Sequence, residues 1–247
     1  AKGRISSLSW QMIKLPPSQL ELMRMHVEAL FGHDENMRIK SVNQPDGGVT
    51  PCFFLGRTTA GNLWRFRSDL PSDLAVKLTK LCNGEPDINE LSKTPNNQNE
   101  YIRLLETHTP INQVLSGPAY WFSTDVVPCL RPVEICEANS DLLRGGFENL
   151  LENMPHRRPF MAMVEDGHAV SVCASVRITD DAHEAGVETL PAHRHKGHAA
   201  NVVAGWANAV RNISAIPLYS TSWDNTASQN VAARLGLSMF GVDFHIS

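Results

Sequence analysis

A chain of 247 residues suits one large domain or two small ones, long enough to bury a core without disulfide or metal staples. Hydrophobic residues make up 42% and charged residues 19%, a globular balance that excludes long disorder. With 22 Lys and Arg against 26 Asp and Glu, the net charge of −4 provides no broad field for nucleic acid or an anionic membrane. The basic clusters, Arg157-Arg158 and His193 to His198, are short and fit at most a local anion site. No apolar run approaches the roughly 18 residues of a membrane span, and Ala1 to Pro17 lacks the apolar centre of a secretory leader. The five cysteines, Cys52, Cys82, Cys129, Cys136 and Cys173, are odd in number and form no C-x-x-C pair, so reduced thiols and a cytoplasmic setting are expected.

Along the chain, Leu20, Met23, Val27, Leu30 and Phe31 recur at helical spacing and predict a helix over Ser18 to Phe31. Phe53 to Leu55, a turn at Ala60-Gly61-Asn62 and Leu63 to Phe66 predict a hairpin. A helix over Ser72 to Leu81, a polar loop over Asn83 to Asn99, a helical segment at Tyr101 to Leu105 and a strand at Ala119 to Phe122 complete the first half. The second half is more regular. Phe160 to Glu165, the Asp166-Gly167 turn, His168 to Arg177 and His183 to Leu190 read as an antiparallel meander. Pro191 ends it, and a helix begins near Gly197 with Ala199, Val202, Val203, Trp206 and Val210 on one apolar stripe. A strand at Ile216 to Ser222, a helix from Thr226 to Leu235 capped by Asp224 or Asn225 and stopped by Gly236, and a strand at Phe240 to Ile246 follow. One helix separates the His183 and Ile216 strands, which makes them parallel neighbours.

The segment richest in chemistry is Arg194-His195-Lys196-Gly197-His198-Ala199, between a strand end and a helix start. Unpaired N–H groups and the positive dipole end of a helix can hold a phosphate by backbone alone. Gly197 permits close approach, Ala199 keeps the first turn slim, and Arg194 and Lys196 add positive charge.

This Arg-x-x-Gly-x-Ala run, entered from Thr189-Leu190-Pro191, resembles the acetyl-coenzyme A loop of the GNAT acetyltransferase superfamily. Trp223-Asp224-Asn225-Thr226-Ala227-Ser228, followed by Arg234-Leu235-Gly236-Leu237, is similar to that family's closing motif, with Leu237 where Phe is usual. The resemblance covers roughly residues 130 to 247. It implies an α/β (α+β) chain with a mixed, mostly antiparallel sheet flanked by helices. Residues 129–247 would form the cofactor-binding catalytic domain, preceded by a smaller α+β domain over residues 1–128 that covers the acceptor. It further implies that acetyl-CoA lies between two splayed parallel strands. The pantetheine would pair with Val187, Glu188 and Thr189, the pyrophosphate would sit on the turn His195 to Ala200, and Asn225 would contact pantetheine or cap its helix.

Acyl transfer to an amine needs a neutral amine, a stabilised oxyanion and a proton for the departing thiolate. His183, Glu184 and Glu188 are the candidate bases. Strand alternation puts 183, 185, 187 and 189 on one face and 184, 186 and 188 on the other; the resemblance puts the base at the position of His183, with Glu184 an equal candidate if the strand bulges and Glu188 behind. A backbone N–H near Val187 or Glu188 would polarise the thioester. For the acid, the resemblance points to a Tyr at the position of Ala232; Ser228, three residues after Asn225, matches another branch of the family. His193, His195 and His198 have neither helical nor zinc-like spacing and no fourth ligand nearby, so no metal is expected. Trp10, Trp121 and Trp223 read as packing residues, the last two also as acceptor-pocket walls.

The expected activity is direct N-acetylation of a small-molecule primary amine. Two alternatives stay open, a non-catalytic coenzyme A sensor and a protein or peptide N-acetyltransferase. No nucleic acid or membrane partner is expected, and a homodimer is left open.

Overall fold

The computed structural model describes residues 16–86, 90 and 92–247; Trp10 lies outside them. Ser18 caps α1 (Gln19–Leu30) through a reciprocal bond with Glu21. A small sheet of β1 (Phe31–His33) and β2 (Ile39–Val42) follows. Next come the hairpin β3 (Phe53–Thr58) and β4 (Gly61–Phe66), the helices α2 (Ser72–Asn83) and α3 (Gln98–Leu105), and β5 (Val114–Trp121). After β6 (Val133–Glu134) and short 3₁₀ turns, the chain forms the meander β7 (Phe160–Glu165), β8 (His168–Ile178) and β9 (Ala182–Thr189). It ends with α4 (His198–Asn212), β10 (Ile216–Ser220), α5 (Thr226–Arg234) and β11 (Ser238–Ile246).

Nine strands form one sheet in the order β4-β3-β11-β5-β10-β9-β8-β7-β6. Among the described residues its named strand pairs are antiparallel except β9 with β10, which run parallel as their separation by one helix requires. The sheet does not break at residue 128, where the sequence suggests a domain boundary. β11 inserts between β3 and β5, and β5 pairs in turn with β10, so strands from both halves alternate in one ladder.

Side-chain alternation assigns the helices to faces. Phe54, Ala119, Ala182, Leu218 and Phe240 pack beneath α1 with Leu22, Met23 and Val27. Phe53 and Leu55, one position off, turn to the opposite face and meet Leu74, Leu78, Tyr101 and Leu105 of α2 and α3. On β7 to β10, Met161, Val170, Cys173 and Tyr219 cover α4 through Val202, Val203, Trp206 and Val210.

Gly117 of β5 carries a tight constraint. A Cβ there would lie 1.7 Å from the backbone oxygen of Thr221, where the chain leaving β10 runs along β5 through Thr221 N–H to Pro118 C=O. Gly117→Ala is expected to lower stability by about 3 kcal/mol, since the obstruction is backbone and cannot rotate away. Urea denaturation checks this as a drop in midpoint at unchanged slope.

Candidate active site

β9 and β10 pair only over Ile216↔Ala182, Pro217↔His183 and Leu218↔Glu184, and beyond that point they part. β9 continues alone on that edge through Ala185 to Thr189 while its other edge stays bonded to β8. Leu190 N–H donates to Val170 C=O, so by antiparallel alternation the backbones of Val187 and Thr189 face the open edge. An amide-bearing ligand laid along that edge would find main-chain partners, as a missing strand would.

The open edge leads into a cleft of about 550 Å³ lined by Val187, Glu188 and Thr189, by the turn His193 to Ala200 without Lys196, and by Asn225, Ser228 and Arg234. Gly197 caps α4 in the left-handed region at φ +86°, and His195 shares that region at φ +62°. The first intrahelical bond of α4 runs from Asn201 N–H to Gly197 C=O. The N–H groups of His198, Ala199 and Ala200 therefore have no helical partner, and they open on the cleft at the positive end of the helix. Unpartnered N–H groups at the start of a helix are a geometry that suits an anion.

The charged side chains divide their duties differently from the expectation. Lys196 turns away from the cleft, its Nζ 3.6 Å from Glu165 of β7. Arg194 Nε donates to Thr189 C=O at 3.3 Å, bracing the strand end. Arg234, outside the expected set, fills the place beside Gly197, its guanidinium 3.0 Å from where a Cβ would lie. It was legible only as part of the Arg-Leu-Gly-Leu run.

His193 Nδ1 and His198 Nε2 lie 2.8 and 2.9 Å from the two oxygens of Glu165, three groups close enough to ligate a cation. The histidines are therefore not without a further ligand nearby, contrary to what the sequence led us to expect. The hairpin turn brings Glu165 to both histidines, while His195 stays apart. The same carboxylate already accepts a hydrogen bond from His193, and Lys196 lies beside it.

Strand parity separates the equally ranked bases. His183 lies on the α4 face, 5% exposed, with Nδ1 2.8 Å from Ser175 Oγ, which also accepts Trp206 Nε1–H. Burial lowers its pKa. Glu184 lies on the α1 face at the last paired position of the fork, 2% exposed. One of its oxygens is 2.6 Å from Nδ1 of His26 on α1, and the other accepts from Ser220 Oγ at 3.0 Å. His26 Nε2 is 3.0 Å from Asp243 Oδ2 of β11. Burial works against charge on His26, but the carboxylates of Glu184 and Asp243 outweigh it and raise the pKa to about 10. Burial likewise opposes ionisation of Asp243, yet His245 and His26 hold its carboxyl well below the ordinary range. Glu188 is exposed at the cleft rim.

Asn225 caps α5, accepting from Ser228 N–H at 3.0 Å, the second of the two roles expected for it. Ser228 Oγ lies 2.6 Å from the hydroxyl of Tyr219, whose pKa burial pushes up to about 12 against the Ser228 hydrogen bond. Ala232 is buried in the core. The phenol nearest Ser228 is that of Tyr219 on β10, a proximity that spacing within α5 could not reveal. Trp121 and Trp223 are half-buried, and neither lines this cleft.

Residues 143–240 match the family model for GNAT acetyltransferases. No curated protein matches the chain. Among solved structures, the chain is similar to a GCN5-related N-acetyltransferase-like protein from Streptococcus suis. The two share 16% identity over 93% of this chain and 100% of that one, with a TM-score of 0.47. A GNAT-family acetyltransferase from Colwellia psychrerythraea shares 12% identity over 75% of this chain and 76% of the other, TM-score 0.46. A GNAT-family protein of Novosphingobium aromaticivorans shares 14% identity; the match covers 56% of this chain and 66% of that one, TM-score 0.44. The family match is thus confined to residues 143–240, which resemble a GNAT acetyltransferase domain, and the fold is a mixed, mostly antiparallel sheet flanked by helices. Among the described residues, no helix is long and apolar enough to cross a membrane.

Proposed function

We propose that this protein is a cytoplasmic acetyl-CoA-dependent N-acetyltransferase acting directly on a primary amine of a small molecule. The observation that carries this is the fork of β9 and β10, whose free edge runs into the N–H cradle of α4. Acetyl-CoA supplies an activated acyl group and a thiolate leaving group. In this reading His198, Ala199 and Ala200 hold the diphosphate through backbone N–H groups, with Arg234 as the facing cation. Val187 presents its open-edge backbone to the pantetheine and thioester. Glu184 takes the proton that keeps the amine from attacking, and Ser228, supported by Tyr219, protonates the departing sulfur.

The proposal is tested by thiol release from acetyl-CoA with a panel of small amines, peptides and proteins. Saturable turnover with a small amine is the expected result. Turnover confined to a peptide or protein terminus would replace the acceptor class, and tight binding without turnover would leave only a sensor. For the acid, Ser228→Ala is expected to lower kcat about tenfold or more with acetyl-CoA affinity unchanged. Single-turnover kinetics check it, and an undiminished rate removes the role.

A further inference from the structure

The group proposed as the base is one member of a buried chain that crosses three strands and a helix. Ser220 Oγ donates to Glu184, Glu184 faces His26, His26 faces Asp243, and Asp243 Oδ1 lies 3.4 Å from His245 Nε2. His26 is wholly buried with a carboxylate oxygen on each ring nitrogen. Ionised carboxylates only accept, so with both in that form the two ring nitrogens donate and the ring is an imidazolium. Glu184, His26 and Asp243 together then carry one net negative charge out of contact with water. The Arg177 guanidinium, opposite Glu184 across β8, offsets that charge, and the second Glu184 oxygen accepts from Ser220 Oγ.

Glu184 itself is too buried to meet an amine. Its second oxygen is reached through Ser220, half-buried on β10 just past the point where β9 and β10 part. Resting on the acetyltransferase reading above, we propose that Ser220 is the substrate-facing end of a proton relay, with His26 and Asp243 as positioning residues that fix Glu184 and complete its charge. The acceptor ammonium gives one proton to Ser220 Oγ as the Ser220 proton passes to Glu184. The freed amine then forms the C–N bond while the C–S bond breaks. Of the two protons that leave nitrogen, one ends on the sulfur and one leaves Glu184 for solvent. Among the described residues, Arg177 is a further charged group beside Glu184, with His26, Asp243 and His245.

The test compares Ser220→Ala, Ser220→Thr and the unaltered protein by acetyl-CoA thiol release, using the fastest amine of the panel. Ser220→Ala should lower kcat at least about tenfold near neutral pH, with the deficit shrinking as pH approaches the amine's own pKa. Acetyl-CoA affinity should stay within about twofold of the unaltered protein, and Ser220→Thr, which keeps the hydroxyl, should restore most of the rate. A Ser220→Ala enzyme with full kcat at every pH overturns the relay while leaving the acetyltransferase reading intact. An unaltered protein that fails to bind acetyl-CoA overturns both. The positioning part has its own readout that needs no variant of a buried residue. In ¹⁵N NMR of histidine-labelled protein near pH 8, His26 should show protons on both nitrogens, and a neutral tautomer would contradict it.

Discussion

Gly197→Val is expected to weaken acetyl-CoA binding by about 30- to 100-fold, equivalent to about 2–3 kcal/mol. Two constraints act together. At φ +86° a β-branched residue is strained, and its Cβ would meet the Arg234 guanidinium at 3.0 Å. Arg234 can swing aside, but the backbone strain is relieved only by moving the loop. That movement takes the N–H groups of His198, Ala199 and Ala200 off their common focus, and a side chain enters the space where a phosphate would approach. Calorimetric titration of the variant checks this; a dissociation constant within about twofold of the unaltered protein would remove the phosphate role from the loop.

Glu184→Gln is expected to lower kcat by about 100-fold or more near neutral pH, with acetyl-CoA affinity preserved. The amide is nearly isosteric and its oxygen can still accept from Ser220 or His26, so the fork should hold its shape. What it cannot do is take a proton. An amine with an ordinary ammonium pKa of about 10.4 is then free only in the fraction solution allows. The variant's rate should therefore climb close to tenfold per pH unit as the free-amine fraction grows, levelling near the amine's pKa. The unaltered protein should show a flatter profile. A pH–rate profile parallel to that of the unaltered protein would eliminate Glu184 as the proton acceptor.

How much of this was legible in the sequence follows from the range of the interactions involved. The strand ending at Thr189, the turn through Gly197 and the Asn225 cap are written in contiguous residues, and the structure has them where local spacing puts them. The parallel pairing of β9 with β10 followed from one intervening helix. Strand alternation likewise separated His183 from Glu184, but nothing local says which face belongs to α4 and which to α1. That assignment comes from packing, and it decides which candidate reaches the fork. His26 is a single histidine in the apolar pattern of Met23 and Val27, with no hint that carboxylates 158 and 217 positions away would meet its two nitrogens. Tyr219 and Glu165 were hidden for the same reason. The continuous sheet was hidden because β11 finds its partners, β3 and β5, in the half of the chain that carries no chemical motif.

Main-chain donors at the start of α4 and the free edge of β9 are the proposed seat of the cofactor. Titration of isotope-labelled protein with acetyl-CoA, followed through backbone amide resonances, tests this most directly. The expected result is a saturable shift centred on His198, Ala199, Ala200, Val187 and Thr189. Saturation with those amides unmoved, or no saturation at all, would contradict it.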